Sequence, residues 1–152
     1  MAQIVLTDVL VSIAAIYAAP NGFAAGAVKS VTINYTPAML DNTGMGHGAK
    51  SRKKGLDDWS IDIEIYQSYV NAEVDNLIWD LMSAGTTVGA IAIRPTGAGD
   101  NVPAIGVDNP AYGSAAGIIE SYSPIAAAAV GDLGIAKLRI LSMGSAMTRV
   151  EA

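Results

Sequence analysis

The chain contains no cysteine and a single histidine. Without cysteine there is no disulfide and no thiolate metal site, and the redox compartment leaves no trace in the sequence. His47 has no Asp or Glu close by in sequence, so it cannot build a metal site by itself and reads as a solvated loop residue. Charge is also scarce: Asp, Glu, Lys and Arg together make up 15% of 152 residues, against a usual quarter. The balance is acidic, at −5, which argues against a general nucleic-acid binder. Aromatic residues stand at 6%, too few for an aromatic-lined binding surface. Long apolar runs are missing too. Val9 to Ala19 stops at Pro20-Asn21-Gly22, short of the about 20 residues a membrane helix needs. Met1 to Thr7 carries no charged side chain, unlike the basic start of a signal peptide. The expectation is a soluble protein with no membrane partner, kept inside the cell until assembly.

Apolar residues reach 51%, mostly Ala, Ile, Val and Leu. Two readings follow: exposed apolar surface that mediates self-association, or an ordinary core rich in Ala and Gly. The length fits one domain over 1–152, large enough for a real core.

TGMGHGAKS, residues 43–51, approaches a phosphate-binding loop but misses its pattern. Counting from Gly44, the place of the second glycine holds Ala49, before Lys50 and Ser51. The context also fails, because RKKGLDD follows and no helical period opens. A long, partly basic loop over 38–58 is the plainer reading.

Periodicity places the elements. Val31, Ile33 and Tyr35 alternate with Ser30, Thr32 and Asn34, which predicts a half-buried strand over Lys29 to Thr36. Trp59, Ile61, Ile63 and Ile65 share one side of a strand, and Ser60, Asp62, Glu64 and Tyr66 the other. Further strands are expected over Ile4 to Ile13 (broken near Asp8), Thr87 to Arg94, Ala116 to Tyr122, Ala136 to Ser142 and Ala146 to Val150. One helix is predicted: Asn71 caps it, Glu73 suits its N-terminal end, Val74, Leu77, Ile78 and Leu81 form the apolar stripe, and Gly85 stops it. Trp79 lies off that stripe, at the edge of the core or against another subunit. Residues 96–113 and the stretch from Ser123 to Gly134 read as loops. The expected fold is mainly β: an antiparallel sandwich or open barrel with one packed helix and a long inter-strand loop.

No catalytic set can be assembled. Asp62 and Glu64 lie on one side of a strand, about 7 Å apart, but nothing near them in sequence would split their pKa values. A wet strand face explains them better. There is no G-x-S-x-G elbow and no oxygen-ligand loop for calcium. The chain reads as neither an enzyme nor the holder of a cofactor or metal. The remaining charge signal is Lys50, Arg52, Lys53 and Lys54, four of nine basic residues in one run. Such a run is a solvated face, a nucleic-acid contact, or a patch that meets acidic groups on another copy. An acidic chain fits the last best.

The order of segments then becomes informative: a strand, LDNTGMGHGAKSRKKGLDDWSIDIEIYQ, the helix VDNLIWDLMSAG, AIRP, DNPAYGSAAGIIESYSP, and VGDLGIAKLRILSMGSAMTR. From about Ile4 to Arg149 this resembles the major tail tube proteins of long, non-contractile-tailed bacteriophages. The resemblance rests on segment order, above all on the long loop entering a Gly-Leu-x-Asp-Trp strand, and not on a catalytic motif. It implies a virion protein, assembled in the host cytoplasm, whose hexameric rings stack into a tube around a lumen for DNA. It implies partners among copies of itself and among tape-measure, tail-terminator and distal-tail or baseplate proteins, with DNA passing unbound. Related tubes occur in contractile tails and injection machines.

Within that picture, residues 1–10 form an N-terminal arm. Leu40, Asp41, Met45, His47, Lys50, Arg52, Lys53, Lys54 and Leu56 belong to an assembly loop between subunits or rings, ordered when a neighbour is present. Thr32, Asn34, Asp62 and Glu64 face the lumen, where acidic and neutral groups avoid holding phosphate. The chain departs from the family in its Ala and Gly content, and the expectation is a tube plain on its outside, without a C-terminal decoration domain. The competing reading is a β-sandwich binding module such as a capsid decoration or adhesin-like protein.

Overall fold

The computed structural model describes residues 9–13, 27–69, 74–85, 87–96, 105–106, 109–127 and 129–151. In chain order the elements are β1 (Leu10–Ile13), β2 (Val28–Tyr35), β3 (Met39–Asp41), β4 (Arg52–Lys54), β5 (Trp59–Tyr66), α1 (Val74–Ala84), β6 (Val88–Arg94), β7 (Ala111–Ala127), β8 (Ile135–Ser142) and β9 (Thr148–Val150). Seven strands form one sheet in the order β1-β6-β7-β8-β5-β2, with β9 also on β7; β3 and β4 pair separately. Every pairing is antiparallel.

The sheet curls on β7. This strand is 17 residues long. Its first part pairs with β9 over Ala111 to Gly113 and with β6 over Tyr112 to Gly117, and from Gly117 onward it pairs with β8. The sheet folds over itself, and its inner side becomes the core. Val11, Ile13, Ile91 and Ile93 from one half cluster with Trp59, Ile61, Ile63, Ile65, Leu138 and Ile140 from the other. In β5 the buried residues alternate as its sequence requires, and Trp59 also donates its indole N–H to the Ser145 carbonyl at 2.8 Å. The alternation of β6 shifts at Ala90, which takes a φ of 47°, so that Val88 and then Ile91 and Ile93 all point inward. The expectation of a mainly β, antiparallel, open-barrel fold with one helix holds.

Helix α1 packs on β7, with Ile78 fully buried and Leu77 and Leu81 half-buried. Gly85 ends it with a φ of +62°, a left-handed stop that glycine adopts without a Cβ clash. Asn71 and Glu73, the expected cap and first-turn acid, lie outside the described residues. Trp79 stands on the exposed side of α1, beside Tyr69 and Ile125, rather than at the core edge.

The start of the helix is tied to the sheet through a small polar cluster. The Tyr122 hydroxyl donates to Asp75 at 2.8 Å, and Gln67 donates to that hydroxyl at 2.9 Å and to the Pro124 carbonyl at 2.8 Å. Burial, with Asp75 accepting its proton, pushes the Tyr122 hydroxyl well above its ordinary pKa. A Tyr122→Phe subunit leaves Asp75 and Gln67 without that partner. It is expected to lose about 1–2 kcal/mol, because a half-removed hydrogen bond exposes the desolvation cost of the group left behind. Thermal melting of the unassembled subunit reads this as a drop of roughly 2–8 °C.

Three sequence expectations need correction. The 38–58 segment is not a plain loop, because it contains the β3–β4 hairpin. Residues 111–113 and 123–127, read as loop, belong to β7. Of the arm expected over 1–10, residues 1–8 lie outside the described residues, while Leu10 is buried as the first residue of β1.

Candidate functional site

The hairpin grows from the β2–β5 pair. Beyond Tyr35 and Trp59 the two chains stay bonded, with Thr36 N to Asp58 O at 2.8 Å and Ala38 N to Leu56 O at 2.9 Å. At Gly55 a side chain would meet the Ala38 carbonyl oxygen at 3.2 Å, so glycine allows the close approach. β3 and β4 follow in the register Met39–Lys54, Leu40–Lys53, Asp41–Arg52. The end is closed by Asn42 N to Ser51 O at 2.9 Å and Ser51 N to the Thr43 hydroxyl at 2.9 Å. The Thr43 hydroxyl and amide hold the Asp41 carboxyl below its usual range. At the tip, Gly44 and His47 form a tight turn: His47 N bonds Gly44 O, and Gly44 N donates to the His47 Nδ1. Gly46 takes a φ of +93°, so one glycine of the motif serves the turn. The near-match to a phosphate loop is thus a hairpin tip that leads into a strand.

All nine residues assigned to the assembly loop are exposed. Met45 and Leu56 are 106% and 86% exposed. The basic run divides into two. Lys54 is fixed at the hairpin base: it pairs with Asp57 at 2.6 Å, bonds the Tyr35 hydroxyl at 2.8 Å and sits 5.4 Å from that ring. The Asp57 and Tyr35 bonds raise its pKa to about 12, and the same contacts lower that of Asp57. Lys50, Arg52 and Lys53 make no ion pair among the described residues. Tyr35 and Asp57 were missed by sequence reasoning; the only available signal was the acid at i+3 from Lys54.

The second feature is the outer face of β2, β5, β8 and β7. The structure brings Thr32, Asn34, Asp62 and Glu64 together there. Thr32 stands opposite Asp62 across the β2–β5 pair, and Asn34 donates to Asp62 at 3.3 Å. The face is not acidic and neutral as the sequence reading supposed, because β8 adds cations. Its register sets Arg139 opposite Asp62 and Lys137 opposite Glu64. Glu64 lies 3.0 Å from Lys137 and 3.5 Å from Lys29; Arg139 lies 2.7 Å from Glu120 and 3.5 Å from Asp62. Lys137, and secondarily Lys29, hold the Glu64 carboxyl below its ordinary range, opposite to the shift a general acid needs. The alternation of Lys137 and Arg139 with Leu138 and Ile140 was visible in sequence. The pairing of β8 with β5 was not.

No protein-family model matches the chain, and no curated protein matches it in sequence. Solved structures do match in fold. A chain in the C6-symmetric tail of an empty gene transfer agent particle superposes with a TM-score of 0.64 at 15% identity, covering 98% of this chain and 99% of that one. A chain in the six-fold-symmetrised baseplate of an anti-feeding prophage gives 0.60 at 13% identity, covering 99% and 98%. A chain in the sheath/tube terminator of an extracellular contractile injection system gives 0.63 at 14% identity, covering 97% and 98%. The likeness spans a gene transfer agent and a contractile system, so it does not narrow the expectation to non-contractile tails. At these identities what is shared is the fold, over nearly the whole length of both partners.

Proposed function

We propose that the chain is a structural subunit of a phage-type tail tube, assembling with copies of itself into rings that stack as a conduit for DNA. The observation that carries this reading is the end-to-end fold likeness to a chain of a six-fold-symmetric tail, with 98% of this chain and 99% of that one covered.

Physical features of the subunit agree. The curled sheet ends in β2 and β1, whose outer edges pair with no strand among the described residues. Unpaired edges invite strand addition, and closing a ring removes them. The hairpin carries exposed apolar side chains and three cations without an ion pair among the described residues, on a chain of net charge −5, which suits docking on another copy. In this reading the face of Thr32, Asn34, Asp62 and Glu64 lines the lumen. Tape-measure, terminator and baseplate proteins meet the ends of the tube, and the protein resides in the virion tail.

Negative-stain electron microscopy across a concentration and salt series tests the proposal. Hollow tubes of uniform diameter are expected. Single rings that never stack would overturn the tube reading in favour of a terminator-like role, and small particles at every concentration would favour a β-sandwich binding module.

A further inference from the structure

We infer that the outer sheet face is kept from holding DNA by pairing each of its cations with a carboxylate, and not by an excess of acid. The inference rests on the proposed function, which places this face along the lumen. Among the described residues six charged side chains occupy it: Lys29, Lys137 and Arg139 against Asp62, Glu64 and Glu120. The sum is zero. Glu64 stands between two lysines, and Arg139 stands between two acids.

The arrangement meets two demands at once. Acids placed alone on neighbouring strands would repel across the sheet, whereas opposite charges in register stabilise it. Cations left alone would engage DNA, because each Lys or Arg that meets a phosphate releases a condensed counterion. Repeated around a ring, such contacts would stall a sliding duplex. A lysine already held by Glu64 must give up that bond before it reaches a phosphate. The groups between the pairs, Ser30, Thr32 and Asn34, are neutral.

Glu64 controls the larger share, since one carboxylate occupies both lysines. Glu64→Gln keeps the shape of the side chain and adds no positive group. The measurement is fluorescence anisotropy of a 20-base-pair duplex with the unassembled subunit, over a salt titration. Lys50, Arg52 and Lys53 of the hairpin contribute equally to wild type and variant, so the difference reads the face. Glu64→Gln is expected to bind about 10-fold more tightly at roughly 50 mM salt, with a log–log salt slope steeper by about 2 for two released lysines. Adding Lys29→Gln and Lys137→Gln should return binding to the wild-type level. If Glu64→Gln lowers folding yield, Asp62→Asn with Glu120→Gln releases Arg139 and gives a second route to the same readout.

Equal affinity of wild type and variant would overturn the inference, as would a gain that survives removal of both lysines. The two proposals fail separately. Tubes without the gain in affinity refute charge pairing alone, and the gain without tubes refutes the conduit while the pairing stands as a property of the face.

Discussion

A subunit whose residues 40–53 are replaced by an Asn-Gly turn is expected to fold normally and to form no tubes. The design follows from the register. Met39 and Lys54 are opposite each other, so a two-residue type I′ turn can join them directly and keep the right-handed twist. The clamp of Lys54, Asp57 and Tyr35 stays in place. What is lost is exposed except at the half-buried Ser51 and contributes nothing to the buried cluster. Removal of such surface changes stability by about 0.5 kcal/mol or less, which amounts to roughly 1–2 °C in melting temperature. Assembly should respond very differently. The exchange removes Leu40, Asp41, Met45, His47, Lys50, Arg52 and Lys53 together, taking the exposed Met45 tip and the three cations without an ion pair among the described residues. Sedimentation velocity and electron microscopy on the melted-and-checked subunit decide the matter. Tubes of normal diameter and length from the variant would remove the hairpin from any role in assembly.

The hairpin also marks the limit of what could be read from sequence. WSIDIEIY declared its strand and its buried side because a strand with one wet face imposes period two. The helix declared itself through Leu77, Ile78 and Leu81 and through Gly85. The β3 and β4 strands gave no such pattern. They face no core, so nothing selects alternation in MLD or RKK, and their pairing is inherited from β2 and β5. The lining candidates were legible strand by strand as Thr32, Asn34, Asp62 and Glu64. Their cationic partners were not, because Arg139 meets Asp62 only through a register between segments far apart in the chain. Segment order pointed to the right fold even where single elements were misread.

The misreading of β7 leads to the other large expected effect. AYG, the end of the stretch read as loop, belongs to the strand on which the sheet turns, and the glycines of that strand answer to packing. A Cβ on Gly117 would lie 2.9 Å from the Ile140 Cγ2, 2.9 Å from the Ile91 Cδ1 and 3.0 Å from the Trp59 Cη2. Those three side chains are buried and come from β8, β6 and β5, so the two halves of the curled sheet meet over this residue. Gly117→Ala is expected to cost about 1–3 kcal/mol, and Gly117→Val to reach or pass the top of that range, since overpacked cores respond with off-rotamer side chains and backbone shifts. At roughly 2–4 °C per kcal/mol, the valine variant should melt at least about 6 °C lower. Gly48→Ala is the control: nothing lies within 4 Å of its added carbon, and it should stay within about 0.5 kcal/mol of wild type. If Gly117→Ala were as silent as Gly48→Ala, the account of β7 as a tightly packed hinge would be wrong. The two failures are also distinct in kind. The hairpin exchange should give a stable subunit that cannot find its neighbour, whereas Gly117→Val loosens the contact between the two halves of the sheet and so weakens the subunit before any ring can form.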